Sequence, residues 1–395
     1  MFKRLLHFIL ISLFVVACKP QQIVSTLPVE DGAEDIDTVH VEPEYWITTN
    51  QDTLYSLSEE VDLSLSRLIK DTLTLIGVGD IMMGTNFPAA HYLPGNDGKG
   101  LWAEVSDTLR QADVTFGNLE GVILNEGGDQ KTCRNPKLCY LFRTPESYLI
   151  NLQEAGFDVV SLANNHAGDF GEPGRKNTTR ALDSLQINYA GLLSKPWTIF
   201  MIDGMKYGMV AFSPNIGTVS IHNQTRAMEV VSHLDSLTDV VIVSFHAGAE
   251  GSKYQHVTRK TENFYGENRG NVYQFAHDVI DHGADVVFGH GPHVSRAIEV
   301  YQNRFITYSM GNFCTYGRFN LRGVNGIAPI VKISTDGEGK FLHGRLIPIY
   351  QPGAGGPKID PKKRAISVIR ELTKKDFPES KLLIDDSGFI TYLND

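Results

Sequence analysis

The chain has 395 residues, 42% of them hydrophobic and 21% charged, with 37 Gly and 17 Pro. That composition fits a globular α/β protein of one large or two ordinary domains, and it excludes collagen-like, coiled-coil and wholly disordered chains. The net charge of −10 is local: eleven acidic residues and no Lys or Arg fall between Pro20 and Ser66. The remainder is close to neutral, which argues against nucleic acid as a partner.

An export signal opens the chain. Met1-Phe2-Lys3-Arg4 is a basic start, Leu5–Val16 is apolar but too short to span a bilayer, and Ala17 precedes Cys18. Residues 1–18 therefore predict a lipoprotein signal peptide. Lipid on Cys18 would anchor an exported protein to a membrane of the cell envelope, facing the periplasm. An ordinary cleaved signal with an incidental cysteine is the alternative. Residues 19–71 are predicted as a disordered acidic tether, too poor in apolar groups to fold. It ends in a docking helix over 56–69, where Leu57, Val61, Leu65 and Leu68 fall at helical spacing.

Residues 72–350 read as the main domain. Strands are predicted at Leu73–Val78, Asp113–Phe116, Asp158–Leu162, Trp197–Ile202, Tyr207–Phe212, Asp239–Phe245, Asp285–Gly289, Ala297–Tyr301 and Phe305–Tyr308. Helical patterns fall near 101–112, 146–155, 174–185, 225–236 and 271–282. Several strand runs are continuous rather than alternating, as strands covered on both faces are. Asp203-Gly204 and Asp336-Gly337 predict hairpins. Together these predict a layered α/β sandwich with mixed sheets. In the C-terminal extension, 351–395, Pro352–Pro361 reads as a linker, Lys362–Lys375 as a basic surface helix and Gly388–Leu393 as a last strand. Cys133 and Cys139 sit in one loop and are candidates for a local disulfide outside the cytoplasm, with two free thiols as the alternative. Cys314 is left unpaired, and no motif beside it marks a nucleophile.

Five polar groups fall at or just after the C-terminal ends of predicted strands, where open α/β sheets place their sites. They are Gly79-Asp80-Ile81-Met82-Met83-Gly84, Gly117-Asn118-Leu119-Glu120-Gly121, Asn164-Asn165-His166-Ala167-Gly168-Asp169, His246-Ala247-Gly248-Ala249-Glu250 and Gly289-His290-Gly291-Pro292-His293. Taken singly, each has an ordinary reading as a cap, an Asx-turn or a hydrogen-bonded loop. Recurring on five strand ends, they point to one shared site. Carboxylates with imidazoles suit Zn, Mn or Fe, and Asp80, Glu120, Asn165, His246, His290 and His293 could together hold one or two such ions. No Walker pattern and no GxGxxG fingerprint follows a strand.

These motifs, with Tyr308-Ser309-Met310-Gly311-Asn312-Phe313, resemble the CapA/PgsA family of capsule and poly-γ-glutamate synthesis, itself similar to calcineurin-like metallophosphoesterases. The resemblance covers roughly residues 72–350. It implies a four-layer αββα sandwich of the metallophosphoesterase type with a dinuclear metal site. It also implies Asp80 for the first ion, Asn165 and His246 for the second, and His290 and His293 divided between them. His166 matches the acid that protonates a leaving group, with Asp169 or Glu250 to orient it. Asn118, Ser309 and Asn312 are expected to hydrogen-bond substrate, although a strand-end turn would equally explain the last two. Two positions depart from the superfamily pattern, Met82 where a ligating His is usual and Asn118-Leu119-Glu120 where an Asp bridges two ions, and one from the family's, Ala247 in place of an aromatic. Either Glu120 bridges from a shifted position or the bridge is missing. The expected function is a metal-dependent hydrolase acting on a phosphoester or an envelope-polymer linkage. The alternative is a non-catalytic component that binds an anionic polymer or supports capsule synthesis and export proteins.

Overall fold

The computed structural model describes residues 70–133 and 139–393. The signal peptide with Cys18, the tether up to residue 69 and its docking helix lie outside the described residues.

Leu73–Met82 is the central strand of the larger sheet. On one side it runs parallel to Val114–Leu119, followed outward by Val159–Ser161 and Asn188–Ala190, all parallel. On the other side it pairs antiparallel with Ile327–Thr335 as far as Val78. Beyond that point Asn312–Thr315 takes over, in parallel, from Asp80 onward. Phe341–Tyr350 pairs with Ile327–Thr335, and the edge is completed by Lys358–Ile359 and by the antiparallel pair Leu382–Ile384 and Phe389–Tyr392. The second sheet has the order Ile298–Tyr301, Arg304–Thr307, Val286–His290, Val240–His246, Met205–Phe212, Trp197–Ile202. Its four inner strands are parallel to one another and its two edge strands antiparallel.

Strand residues alternate between two buried faces, which is why the runs read as continuously apolar. Leu75, Phe116 and Val159 of the first sheet meet Met209, Ile242 and Phe288 of the second. The rings of Phe116 and Phe288 stack 5.1 Å apart across that interface. Ile76, Val78 and Val160 turn the other way, onto Leu109, Leu152 and Leu182. These leucines come from the helices Ser106–Leu109, Ile150–Ala155 and Gly171–Ser184. Behind the second sheet, Val241 and Val243 pack on Val231 of the helix Gln224–Asp235 and on Phe275 and Val279 of the helix Val272–Asp281. The molecule is thus a four-layer αββα sandwich with mixed sheets, as the sequence predicts.

Several expectations need correcting. The helical pattern at 101–112 yields only one turn, Ser106–Leu109, after a 3-10 segment Asn96–Leu101 in which Asp97 and Gly98 take left-handed angles. Glycines and Asn-Asp favour such turns over helix. The extension is no appendage. Its helix, Arg364–Asp376, shows its basic residues to the surface as expected, and also buries Ile366, Ile369 and Leu372 on its other face. Part of the Pro352–Pro361 linker is the paired strand Lys358–Ile359. Ile327–Thr335 was hidden by Pro329, a residue that argues against an inner strand. Pro329 is tolerated because the ladder to the central strand ends one residue away, at the pair Val78 and Ile330.

Both sheets end their parallel strands at the same rim. Asp80 pairs with Asn118 in one sheet and His290 with His246 in the other. The central strand shifts register between Gly77 and Asp80. There, a Cβ at Gly79 would lie 1.9 Å from the Gly311 carbonyl oxygen, so only glycine fits.

Candidate metal centre

At this rim Asp80 is almost fully buried. Its Oδ1 accepts from Asn118 Nδ2 at 2.9 Å and lies 3.2 Å from His290 Nδ1, and its Oδ2 lies 2.9 Å from His293 Nδ1. His293 is held there with a φ of 56°, the left-handed region that non-glycine residues seldom occupy. Asn312 steadies it by donating from Nδ2 to its carbonyl oxygen at 3.1 Å. With both Nδ1 atoms turned to Asp80, the Nε2 atoms of His290 and His293 face elsewhere. His290 Nε2 is buried with no partner.

Glu120 occupies the centre. It is fully buried, and neither carboxylate oxygen has a hydrogen-bond partner. Its Oε1 lies 3.6 Å from His293 Nε2 and 3.9 Å from each of His246 Nε2 and His166 Nε2. Glu120, His246 and His293 together present ligand atoms that all lie within 4.8 Å of one another. His246 Nε2 and Asn165 Oδ1 are also buried and unpartnered. One unmade hydrogen bond on a buried polar group is costly, and five such atoms at one strand-end rim form the pattern of a ligand set. Electrostatics agree. Burial drives Glu120 well above the usual carboxylate range, against the opposing charge of His293. Burial likewise drives His246 well below the usual imidazole range. Burial would also raise Asp80, but hydrogen bonds from His290 and His293 outweigh it and hold that carboxyl well below its ordinary value. His293 is raised to about 10: burial opposes the rise, while the charge of Glu120 and the bond to Asp80 win.

His166 forms a separate limb. Its Nδ1 lies 2.7 Å from Asp169 Oδ2, which also accepts from the Phe142 backbone N–H at 2.8 Å. Lys131 Nζ donates to Asp169 Oδ1 at 2.7 Å and to the Asn165 carbonyl oxygen at 2.8 Å. The Phe142 ring lies 4.2 Å from the imidazole. Lys131 and Phe142 flank the loop that the Cys133–Cys139 disulfide closes. Cys314 is fully buried and its thiol is pushed up by burial, so it is no nucleophile.

Residues 74–316 match the family described as "Bacterial capsule synthesis protein PGA_cap". The chain belongs to that family. The "Capsule biosynthesis protein CapA" of Bacillus anthracis is 28% identical over 264 residues, 62% of this chain and 60% of that one, so the match spans under two thirds of that relative. The "PGA biosynthesis protein CapA" of Bacillus subtilis (strain 168) is 27% identical, covering 77% of this chain and 78% of its own. Among solved structures, a purple acid phosphatase from yellow lupin seeds is 11% identical, covering 74% of this chain and 55% of that one, with a TM-score of 0.36. A likeness that distant says nothing about what this chain acts on.

Within this PGA_cap chain, the rim gathers Asp80, Glu120, His166, His246, His290 and His293, together with Asp169 behind His166. Other sequence candidates stand differently. Glu250 does not orient His166; it is ion-paired to Arg269 at 2.8 Å, and Asp169 makes that contact instead. Asn118 is engaged within the protein: its Nδ2 serves Asp80 and lies 3.3 Å from His246 Nδ1, and its Oδ1 accepts from Asn164. Ser309 Oγ accepts from the Gly311 N–H, the turn role that was its alternative. Asn312 donates to two backbone carbonyls, leaving only its buried Oδ1 unpartnered. Met82 is buried and brings no nitrogen or oxygen ligand to the rim. Sequence reading passed over Asn164, whose amide ties Asn118 to the Leu119 carbonyl, and also Lys131 and Phe142. The doubled Asn of Asn-Asn-His was the only local signal for the first.

Proposed function

We propose that this chain is an exported, metal-dependent hydrolase of the cell envelope, acting on a phosphoester or on a linkage in an anionic envelope polymer. The observation that carries the proposal is Glu120: a buried carboxylate without a hydrogen bond, surrounded by three imidazole nitrogens at 3.6 to 3.9 Å. The donor set fits a divalent cation such as Zn, Mn or Fe. Glu120, His246 and His293 would hold one ion, and Asp80, His290 and Asn165 complete the residues available to it or to a second. A cation there would supply Lewis acidity, polarising a phosphoryl or acyl oxygen and lowering the pKa of water.

The chain's own groups supply the rest. Asp80 fixes the ring orientations of His290 and His293 through their Nδ1 atoms, so both Nε2 atoms stay free. His166 is the acid: its Nδ1 is engaged by Asp169, which leaves Nε2 on the cleft side to give a proton to a departing oxygen or nitrogen. Asp169 is a positioning residue, itself fixed by Lys131 and the Phe142 N–H. The Phe142 ring excludes water from one side of the imidazole. The Cys133–Cys139 bridge supports an oxidising compartment, in keeping with export and with an anchor on Cys18.

The test is metal analysis of purified protein alongside a panel of phosphoesters and γ-glutamyl peptides. The proposal expects close to stoichiometric Zn, Mn or Fe, lost in His246→Ala, and turnover of one substrate class. Wild-type protein without metal after growth with those ions supplied would sink it.

A further inference from the structure

Two chain segments form a lip beside His166 and His293. Phe142 of the first stacks on Phe319 of the second at 5.1 Å, and Phe319 meets His293 edge-on at 5.5 Å. Next to that pair the same two segments meet again. The guanidinium of Arg318 stands 5.0 Å from the Tyr140 ring and 4.8 Å from the Tyr92 ring. Other buried or part-buried arginines have acceptors: Arg143 has Asn86, Arg269 has Glu250 and Arg296 has Glu262. Arg318 has none among the described residues, and its Nε is buried and unpartnered. Beyond Phe319 lies a cavity of about 410 Å³ whose wall carries a second, exposed guanidinium, Arg322.

Two aromatic rings remove water from a cation but cannot accept its in-plane N–H groups. A partly dehydrated guanidinium with a free N–H edge is suited to a planar or tetrahedral oxyanion, which it can grip with two parallel hydrogen bonds. We propose that Arg318 is a specificity-determining residue: it binds a carboxylate or phosphate group that the substrate carries beyond the bond being cleaved. The lip therefore selects ligands bearing repeated or paired anionic groups, one at the catalytic rim and one at Arg318. This rests on reading the cleft as hydrolytic, but it is measurable by binding alone.

The experiment is calorimetric binding to the full chain of three probes: a γ-linked glutamate pentamer, the same pentamer with its α-carboxylates amidated, and tripolyphosphate. Wild-type protein is expected to bind one of the two anions about tenfold or more tighter than the amidated pentamer; which anion wins distinguishes carboxylate from phosphate. Arg318→Gln is expected to weaken that anion about tenfold and leave the amidated probe unchanged, and Arg318→Lys to fall between, because it keeps the charge and loses the fork. His246→Ala, which tests the hydrolytic reading, is expected to abolish turnover while the dependence on Arg318 persists. Equal binding of the preferred anion by wild type and Arg318→Gln overturns the proposal, as does a wild type that binds neither anion or fails to separate charged from amidated pentamer.

Discussion

The two rims of the sandwich use a carboxylate in opposite ways. At the rim where parallel strands begin, Asp113, Asp158, Asp239 and Asp285 each precede a Val that opens a strand. Each accepts, at 2.7 Å, a backbone N–H of the neighbouring strand, from Thr74, Thr115, Lys206 and Val241 respectively. Each also donates its own backbone N–H to the carbonyl oxygen of that same residue, at 2.8 to 3.0 Å. At the rim where strands end, Glu120 accepts nothing. A satisfied carboxylate locks strands together, whereas an unsatisfied one in the same scaffold is kept for something that binds.

That contrast can be broken by substitution. The largest effect is expected for Glu120→Gln, with loss of bound metal and of turnover by more than about a thousandfold, and no loss of thermal stability in metal-free protein, because the carboxyl replaced makes no hydrogen bond that could be lost. Asp113→Asn should do the reverse: metal content and kcat hold, while denaturant unfolding shows a loss of about 1–3 kcal/mol. If Glu120→Gln keeps its metal, the two rims are alike and the hydrolase reading fails. Next in size, His166→Ala should cost about 10²- to 10⁴-fold in kcat with metal content unchanged. Asp169→Asn should cost less, in kcat and not in metal content, because it loosens the hold on the imidazole without removing it. Measured kcat unchanged in His166→Ala would remove it as the acid.

The smallest effect comes from pH. Burial raises Asp285 to about 7, with Arg304 and the Val241 N–H opposing, and raises Asp158 to about 6. A carboxyl with a raised folded-state pKa binds its proton more tightly folded than unfolded. Its contribution is therefore fully present below about pH 4 and is lost as pH rises through 6 to 7. Melting temperature should decline across that window, and Asp285→Asn should flatten the decline. A melting curve rising from pH 5 to 8 in wild type, unaffected by Asp285→Asn, would contradict the assignment.

Much of this was legible in the sequence for a physical reason: strands buried on both faces must be apolar throughout, so runs such as Val240–His246 announce themselves. The rim was legible because polar residues and glycines interrupt those runs at their ends. Ile327–Thr335 was obscured by Pro329, and Asn312–Thr315 by polar residues whose partners come from far along the chain. Asn118 and Glu250 illustrate the limit within the site. Both are the right residue type at a strand end, but what a side chain does depends on which neighbour reaches it first, and Asn164 and Arg269 are distant in sequence. Arg318 carried no sequence signal, since its meaning lies in the carboxylate it lacks.

The central strand has one further consequence. Leu73–Met82 leaves any ribosome or pore well before its antiparallel partner Ile327–Thr335, since Leu73 lies opposite Thr335. Closing so long a loop is entropically slow, and the large sheet cannot be finished until that later strand is delivered. Until then its middle strand waits bare on one side, an invitation to aggregation that holdase chaperones are suited to answer.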